Sequence, residues 1–252
     1  MSVDVLILAG AKNKGPLRDF SKTEHEALIE INNTPMVEYV IRAAKKADNI
    51  NKIAVVGPQQ ELESTVGKDI DIIIEAEDSM RDNLFKGINV FENKEYLLLM
   101  SADIPLITAE VIDDFVVTCL RDKEADIYYP IIPKEKNKAK FPSVKRTYFH
   151  LTEGVFTGGN MVLLKPPMLN NTIELVDKAI SWRKKPWKLS KLLGMKFIFK
   201  FVIGHLSIQE IESTVSEITG YKGHFLVSNH PEIGFDVDKP SDLEMMRDKY
   251  IL

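Results

Sequence analysis

In the first half of the chain, short apolar runs alternate with stretches whose apolar residues recur every three or four positions. That alternation predicts βαβ units and an α/β fold, a mixed but mainly parallel sheet flanked by helices. Val3 to Leu8 is a nearly continuous apolar run, as a strand buried on both faces requires. Ile53 to Val56, Ile70 to Ile74, Leu97 to Met100, Asp126 to Ile132 and Met161 to Leu164 read as further strands, with Phe225 to Val227 returning to the sheet. Thr34-Pro35 reads as an N-cap followed by a proline at the first helical position, ahead of a stripe formed by Val37, Val40, Ile41 and Ala44. A second helix starts near Ser79 with Leu84, Phe85 and Ile88 inward, and Thr108 caps a third whose core face is Val111, Ile112, Phe115 and Val116. Pro133 to Pro142 reads as a polar loop. Residues 172–219 read as helical, with a capping box at Ser207-Ile208-Gln209-Glu210 and a stop at Gly220. A second capping box, Ser241-Asp242-Leu243-Glu244, opens a last helix after Pro240. The expected organisation is one domain over 1–252 with a helical insertion at about 172–219.

The bulk numbers remove several function classes. A net charge of -4 and a pI near 5.8 give no global push towards nucleic acid or an anionic membrane. Cys119 is the single cysteine, which excludes an intramolecular disulfide and a Cys-rich metal site and suits a reducing compartment. The opening MSVDVLILAG holds one strand's worth of apolar residues without a basic flank, and no run reaches the ~18 apolar residues of a spanning helix. A cytoplasmic protein is expected.

In open α/β sheets ligands bind beyond the carboxyl ends of the strands, so the loops after the apolar runs are where chemistry belongs. After the first run comes Ala9-Gly10-Ala11-Lys12-Asn13-Lys14-Gly15-Pro16-Leu17-Arg18. Small residues there let backbone N–H groups approach phosphate, and Lys12, Lys14 and Arg18 offer positive charge; a solvated basic turn is the plainer alternative. Asp103, in Ser101-Ala102-Asp103-Ile104-Pro105, stands where a carboxylate can hold Mg²⁺, although a turn-forming aspartate would look the same. Asp236 and Asp238 alternate on an extended segment and so share one side, where either can complete a metal site with Asp103. The five histidines show no metal-ligand spacing and read as structural or surface residues.

These pieces resemble the NTP transferase superfamily, in particular the subgroup similar to molybdenum-cofactor guanylyltransferase. The matching residues are Leu8-Ala9-Gly10, Ala27-Leu28 through Thr34-Pro35-Met36-Val37-Glu38-Tyr39, Asp103-Ile104-Pro105, Gly158-Gly159-Asn160, and Asp238-Lys239-Pro240-Ser241-Asp242-Leu243-Glu244. The resemblance implies a GT-A-like (Rossmann-like) sheet and transfer of NMP from an NTP to a phosphorylated small-molecule acceptor, with release of pyrophosphate and Mg²⁺ as cofactor. It implies nucleotide binding by Ala9, Gly10, Ala11, Lys12, Ser79, Asn83 and Ser101, and catalytic roles for Lys14, Arg18 and Asp103. Metal binding would fall to Asp103, Asp238 and Asp236, and the acceptor side to Gly158, Gly159 and Asn160.

Two positions depart from the family's pattern: Ala11 replaces a second loop glycine, and Glu26 in His25-Glu26-Ala27-Leu28 replaces a lysine that contacts phosphate. They motivate an alternative, a catalytically impaired nucleotide-binding or regulatory protein of the same fold. A GT-A glycosyltransferase ranks lower, because Ser101-Ala102-Asp103 is not the Asp-x-Asp of that class. Finally, residues 178–209 carry eight Lys/Arg and no Asp or Glu, together with Trp182, Trp187 and a Phe cluster. An interfacial helix on anionic lipid, a lid over an anionic acceptor, and a core-packed helical pair with solvated lysines all fit that pattern, the last being the plainest.

Overall fold

The structure is a computed structural model and describes residues 2–122, 124–182 and 192–249. In chain order the strands are β1 (Val3–Leu8), β2 (Glu30–Ile31), β3 (Thr34–Pro35), β4 (Ile50–Gly57), β5 (Ile72–Glu75), β6 (Leu97–Ser101), β7 (Ile127–Pro133), β8 (Phe149–Leu151), β9 (Gly154–Gly158), β10 (Met161–Leu164) and β11 (Gly223–Val227). Among the described residues, nine of them form one sheet in the order β5-β4-β1-β6-β10-β7-β9-β8, with β11 alongside β7. β5, β4, β1 and β6 run parallel. Beyond β6 the sheet turns antiparallel through β10, β7, β9 and β8, while β11 is parallel to β7.

The central apolar runs become strands because both faces of the sheet are covered there. Val5 and Ile7 of β1 point into a core shared with α1 (Met36–Lys46), α2 (Gln59–Thr65) and the helix Ala109–Asp122. Leu6, between them, points the other way onto α3 (Met80–Asn89) and the short helix Pro166–Asn171. All three side chains are fully buried. The β-strand period of two therefore divides one continuous apolar run between two cores.

Several local expectations hold. Ser79 caps α3, its Oγ accepting from the Asp82 N–H at 3.0 Å. Thr108 Oγ1 accepts from the Val111 N–H at 3.4 Å. Within 172–219 lie the helices Ile173–Trp182, Met195–Val202 and Ile208–Thr219; the last has its Ser207/Glu210 capping box and ends at Gly220 with φ 75°. Residues 183–191 of that block lie outside the described residues.

Others are corrected. Thr34-Pro35 is not an N-cap and first turn but strand β3, paired with β2 across Asn32 and Asn33, both at positive φ. Two such asparagines suit the tight hairpin turns that match strand twist. Pro133 to Pro142 is not a loop throughout, since Lys134–Lys140 is helical. The last helix begins at Pro240, one residue ahead of the expected Ser241 cap; the Asp242 carboxylate accepts from the Asp238 N–H at 3.4 Å instead. β8 and β9 are additions to the sequence reading. Among the described residues no helix is long and apolar enough to cross a membrane.

Candidate active site

The strand register dictates where the loops meet. Leu8 at the end of β1 is beside Ser101 at the end of β6, and Met161 at the start of β10 is beside Met100. The segments following Leu8 and Ser101 and preceding Met161 therefore open at one end of the sheet. There they line a cleft of about 610 Å³, with Gly10, Ala11, Lys12, Glu26, Asp78, Asn83, Ser101, Asp103, Gly159, Asn160 and Asp238 among its walls and Leu8, Leu99 and Val162 on its floor. A cleft of similar size, about 640 Å³, lies between Tyr128, Glu212 and His224 at the starts of β7 and β11. Its walls are the segments that lead into β7 and β11 together with the helix Ile208–Thr219, at the opposite end of the sheet from the first cleft.

Gly10 is a glycine because of what lies behind it. A Cβ there would come within 2.6 Å of Asn83 Nδ2 and 2.8 Å of Ala76 Cβ, closer than real Cβ atoms approach. Asn83 is spent on structure: its Oδ1 accepts from the Glu77 N–H at 2.6 Å and its Nδ2 donates to the Glu77 carbonyl at 3.1 Å. It thus pins the segment after β5 against the loop after β1. Lys12 reaches across the same gap, donating to Asp78 at 2.7 Å with Glu24 at 3.9 Å, and these carboxylates raise its pKa.

Opposite that loop, Asp103, Asp236 and Asp238 place one carboxylate oxygen each within 4.8 Å of one another. A backbone bond from the Val237 N–H to the Asp103 carbonyl, 2.9 Å, ties the two segments together. Asn160 adds a second tie, since its carbonyl accepts from the Ser101 N–H at 3.0 Å and its N–H donates to the Ile233 carbonyl at 2.8 Å. Its Nδ2 also lies 3.4 Å from Asp236 Oδ1. Burial pushes the Asp103 carboxyl up to about 6, helped by Asp236 and opposed by the Ser101 hydroxyl that donates to it. Asp238 is raised too, first by burial and then by Asp236 and Asp103. Arg146 pairs with the Asp236 carboxylate, donates to its carbonyl at 2.6 Å, and stacks 5.2 Å from the Phe235 ring. Among the described residues no lysine or arginine pairs with Asp103 or Asp238. A partly buried Asp103 and a more exposed Asp238 that repel one another, with Asp236 positioned by arginine, fit a divalent cation.

The expected residues sort unevenly. Gly10, Ala11, Lys12, Asn83, Ser101, Asp103, Gly159, Asn160 and Asp238 line the cleft. Asp236 stands behind them in the carboxylate cluster. Arg18 does not enter: its guanidinium donates to the carbonyls of Lys22 and Thr23 at 2.9 and 2.8 Å, closing its own loop. Lys14 is exposed outside the wall, near enough to Asp78 to lower its pKa. Ala9 is 1% exposed and belongs to the core, Ser79 is committed to its cap, and Gly158 ends β9 against Tyr129. Asp78, Met80 and Arg146 are additions. Asp78 carries no signal of its own, because the stretch from Glu75 to Asn83 is polar nearly throughout; Arg146 sits in a stretch with no periodicity.

A profile of the MobA-like NTP transferase domain matches residues 5–180, spanning the cleft loops from β1 through β10. The chain belongs to the MobA-like NTP transferase family. The match stops inside the 172–219 block, so Asp236 and Asp238 lie beyond it. A hypothetical transferase from Thermus thermophilus is 32% identical, with a TM-score of 0.82 over 96% of this chain and 100% of that one. CMP:2-keto-3-deoxy-manno-octonic acid synthetase, complexed with CTP, shares the fold at 12% identity, with a TM-score of 0.61 over 98% of this chain and 97% of that one. The bifunctional protein GlmU of Oenococcus oeni is 30% identical over 114 residues, which is 45% of this chain but only 25% of GlmU. The two solved structures share the mixed sheet over nearly the whole chain.

Proposed function

We propose that the protein transfers NMP from an NTP to a phosphorylated small-molecule acceptor, releasing pyrophosphate. The observation that carries this reading is the meeting of Asp103, Asp236 and Asp238 with the Gly10–Lys12 loop across one cleft. The backbone of Gly10 and Ala11 and the Lys12 ammonium would receive the triphosphate, and Gly159 and Asn160 would border the acceptor. Mg²⁺ on Asp103 and Asp238 would supply the positive charge that a polyphosphate needs, with Asp236 held ready by Arg146. Transfer of this kind depends on positioning and charge neutralisation, and no covalent nucleophile is required.

The charge of the cleft argues for the metal. Among the described residues Lys12 is the one cation on its wall, against Glu26, Asp78, Asp103 and Asp238. Without a divalent cation, such a surface repels a triphosphate. Asp103→Ala is therefore expected to abolish Mg²⁺-dependent pyrophosphate release from NTP and candidate acceptors while leaving the circular dichroism unchanged. Wild-type turnover in that variant would refute the assignment.

Glu26 supports a second reading, a binding protein of the same fold that has lost turnover. Its carboxyl faces the cleft, is half-buried, and is raised by that burial. That reading predicts NTP binding without pyrophosphate release for every acceptor supplied.

A further inference from the structure

Strand alternation grades one face of the sheet from apolar to charged. Along β1 that face is Leu6 and Leu8, leading to Gly10; along β6 it is Leu97, Leu99 and Ser101, leading to Asp103. On β10, entered from Asn160, it is Val162 and Leu164. The register sets these side chains in rows across the sheet. Leu6, Leu99 and Val162 are direct neighbours; Leu8 and Ser101 are the next pair, with the Ser101 N–H donating to the Asn160 carbonyl at 3.0 Å. Leu6, Leu97 and Leu164 are buried in the core. Leu8, Leu99 and Val162 are only partly buried and form the floor of the cleft that Ser101, Asn160 and Asp103 also line. Side chains two residues apart on a strand are separated by about 7 Å. The cleft therefore offers charge and hydrogen bonds towards its loops, and hydrocarbon one row deeper.

That floor is unevenly covered. α3 packs over β4 and β1, and Leu6 is fully buried, whereas its neighbours in the row, Leu99 and Val162, stay partly open. Apolar surface is thus left on the β6 and β10 side, which leads to Gly159 and Asn160 rather than to the Gly10–Lys12 loop. Met80, 54% exposed, adds a further apolar side chain to the same cleft. Leu99 and Val162 offer no side-chain donor or acceptor to a sugar hydroxyl or to the edge of a base, and a polar group buried against them goes unpaired. Methylene groups or an aryl ring lose nothing there and gain by leaving water.

We propose that the acceptor is an amphiphilic phosphate ester, with its phosphate at the Ser101, Asn160 and Asp103 end and its hydrocarbon body on Leu99 and Val162. This rests on the nucleotidyltransferase reading and adds the acceptor's chemical class to it. The probes are hexyl phosphate and methyl phosphate, titrated calorimetrically into the 252-residue protein with Mg²⁺ and the α,β-methylene analogue of ATP, GTP, CTP or UTP. Hexyl phosphate should bind roughly tenfold more tightly or better, since each buried methylene is worth about fourfold. Val162→Thr keeps the β-branched shape but puts a hydroxyl on the floor, and should weaken hexyl phosphate about threefold more than methyl phosphate. Met80→Gln, at a position exposed enough to spare the fold, should act in the same direction. Equal affinity for the two phosphates, or a preference for hexyl phosphate that both variants leave untouched, would overturn the proposal. Weaker binding of the nucleotide analogue by Val162→Thr would overturn it as well, assigning the floor to the base. If an analogue binds with Mg²⁺ while the two phosphates bind alike, the acceptor class alone falls; if no analogue binds, the nucleotidyltransferase reading falls with it.

Discussion

Asp103 is held near pKa 6 against an ordinary value of 3.8, so the folded protein binds its proton more tightly than the unfolded chain does. By linkage, the stability that proton contributes is fully present below about pH 4 and is lost as pH rises through about 6. Asp238 is shifted in the same direction and adds to the effect. A divalent cation on these carboxylates competes with their protons. Mg²⁺ is therefore expected to raise the melting midpoint more at pH 8 than at pH 5; equal shifts would mean that other groups bind the ion. Glu26 acts on the same balance. Glu26→Lys changes the cleft by two charges and is expected to tighten NTP binding by roughly tenfold, about 1.4 kcal/mol, measured by titration calorimetry. Unchanged or weaker affinity would show that Glu26 does not face the phosphates. The carboxylates were legible because each stands at the end of an apolar run or before a helix. Arg146 was not, since it is ninety positions from Asp236 and nothing near it repeats. Arg18 misled for a related reason: composition shows a cation in a phosphate-type loop, but only packing shows that the guanidinium is used up on the Lys22 and Thr23 carbonyls.

At the scale of elements, α3 connects the core to the cleft. A Cβ at Gly87 would come within 2.6 Å of Leu6 Cδ2 and 2.9 Å of Val56 Cγ2, both on fully buried residues that cannot give way. Gly87→Ala gains up to about 1 kcal/mol of helix propensity but costs about 1–3 kcal/mol of overpacking. A net loss of roughly 1 kcal/mol is expected in urea denaturation; a higher midpoint would contradict this close packing. Elements with an apolar stripe, α1 and α3 among them, were legible from periodicity. The Lys134–Lys140 helix was not, because Lys-Glu-Lys-Asn-Lys-Ala-Lys has no such stripe and turns inward only the buried Asn137, whose Oδ1 accepts from the Tyr148 hydroxyl at 3.0 Å. The β8–β9 hairpin escaped because β8 is a three-residue edge strand and β9 begins and ends on glycine, so neither presents an uninterrupted apolar run. Thr34-Pro35 satisfied a helix-start rule, yet the two asparagines before it satisfied a hairpin rule, and the hairpin prevailed.

At the scale of the molecule, the parallel half of the sheet followed from the βαβ alternation, while the strand order beyond β6 did not. β10 inserts between β6 and β7, a long-range pairing that no local pattern encodes. That insertion is what brings Gly159 and Asn160 beside Ser101, and so completes the cleft. The family match covers residues 5–180 and so takes in the Gly10–Lys12 loop and Asp103, while Asp236 and Asp238 come from the chain beyond it. The most direct measurement is thermal stabilisation by ATP, GTP, CTP and UTP, each with and without Mg²⁺. A ligand that binds the folded state raises the midpoint by mass action. The account predicts that one nucleotide stands out, that its shift requires Mg²⁺, and that Asp103→Ala removes it. No shift with any nucleotide in the presence of Mg²⁺, or one that Asp103→Ala leaves intact, would contradict the assignment of this cleft as an NTP site built around a metal.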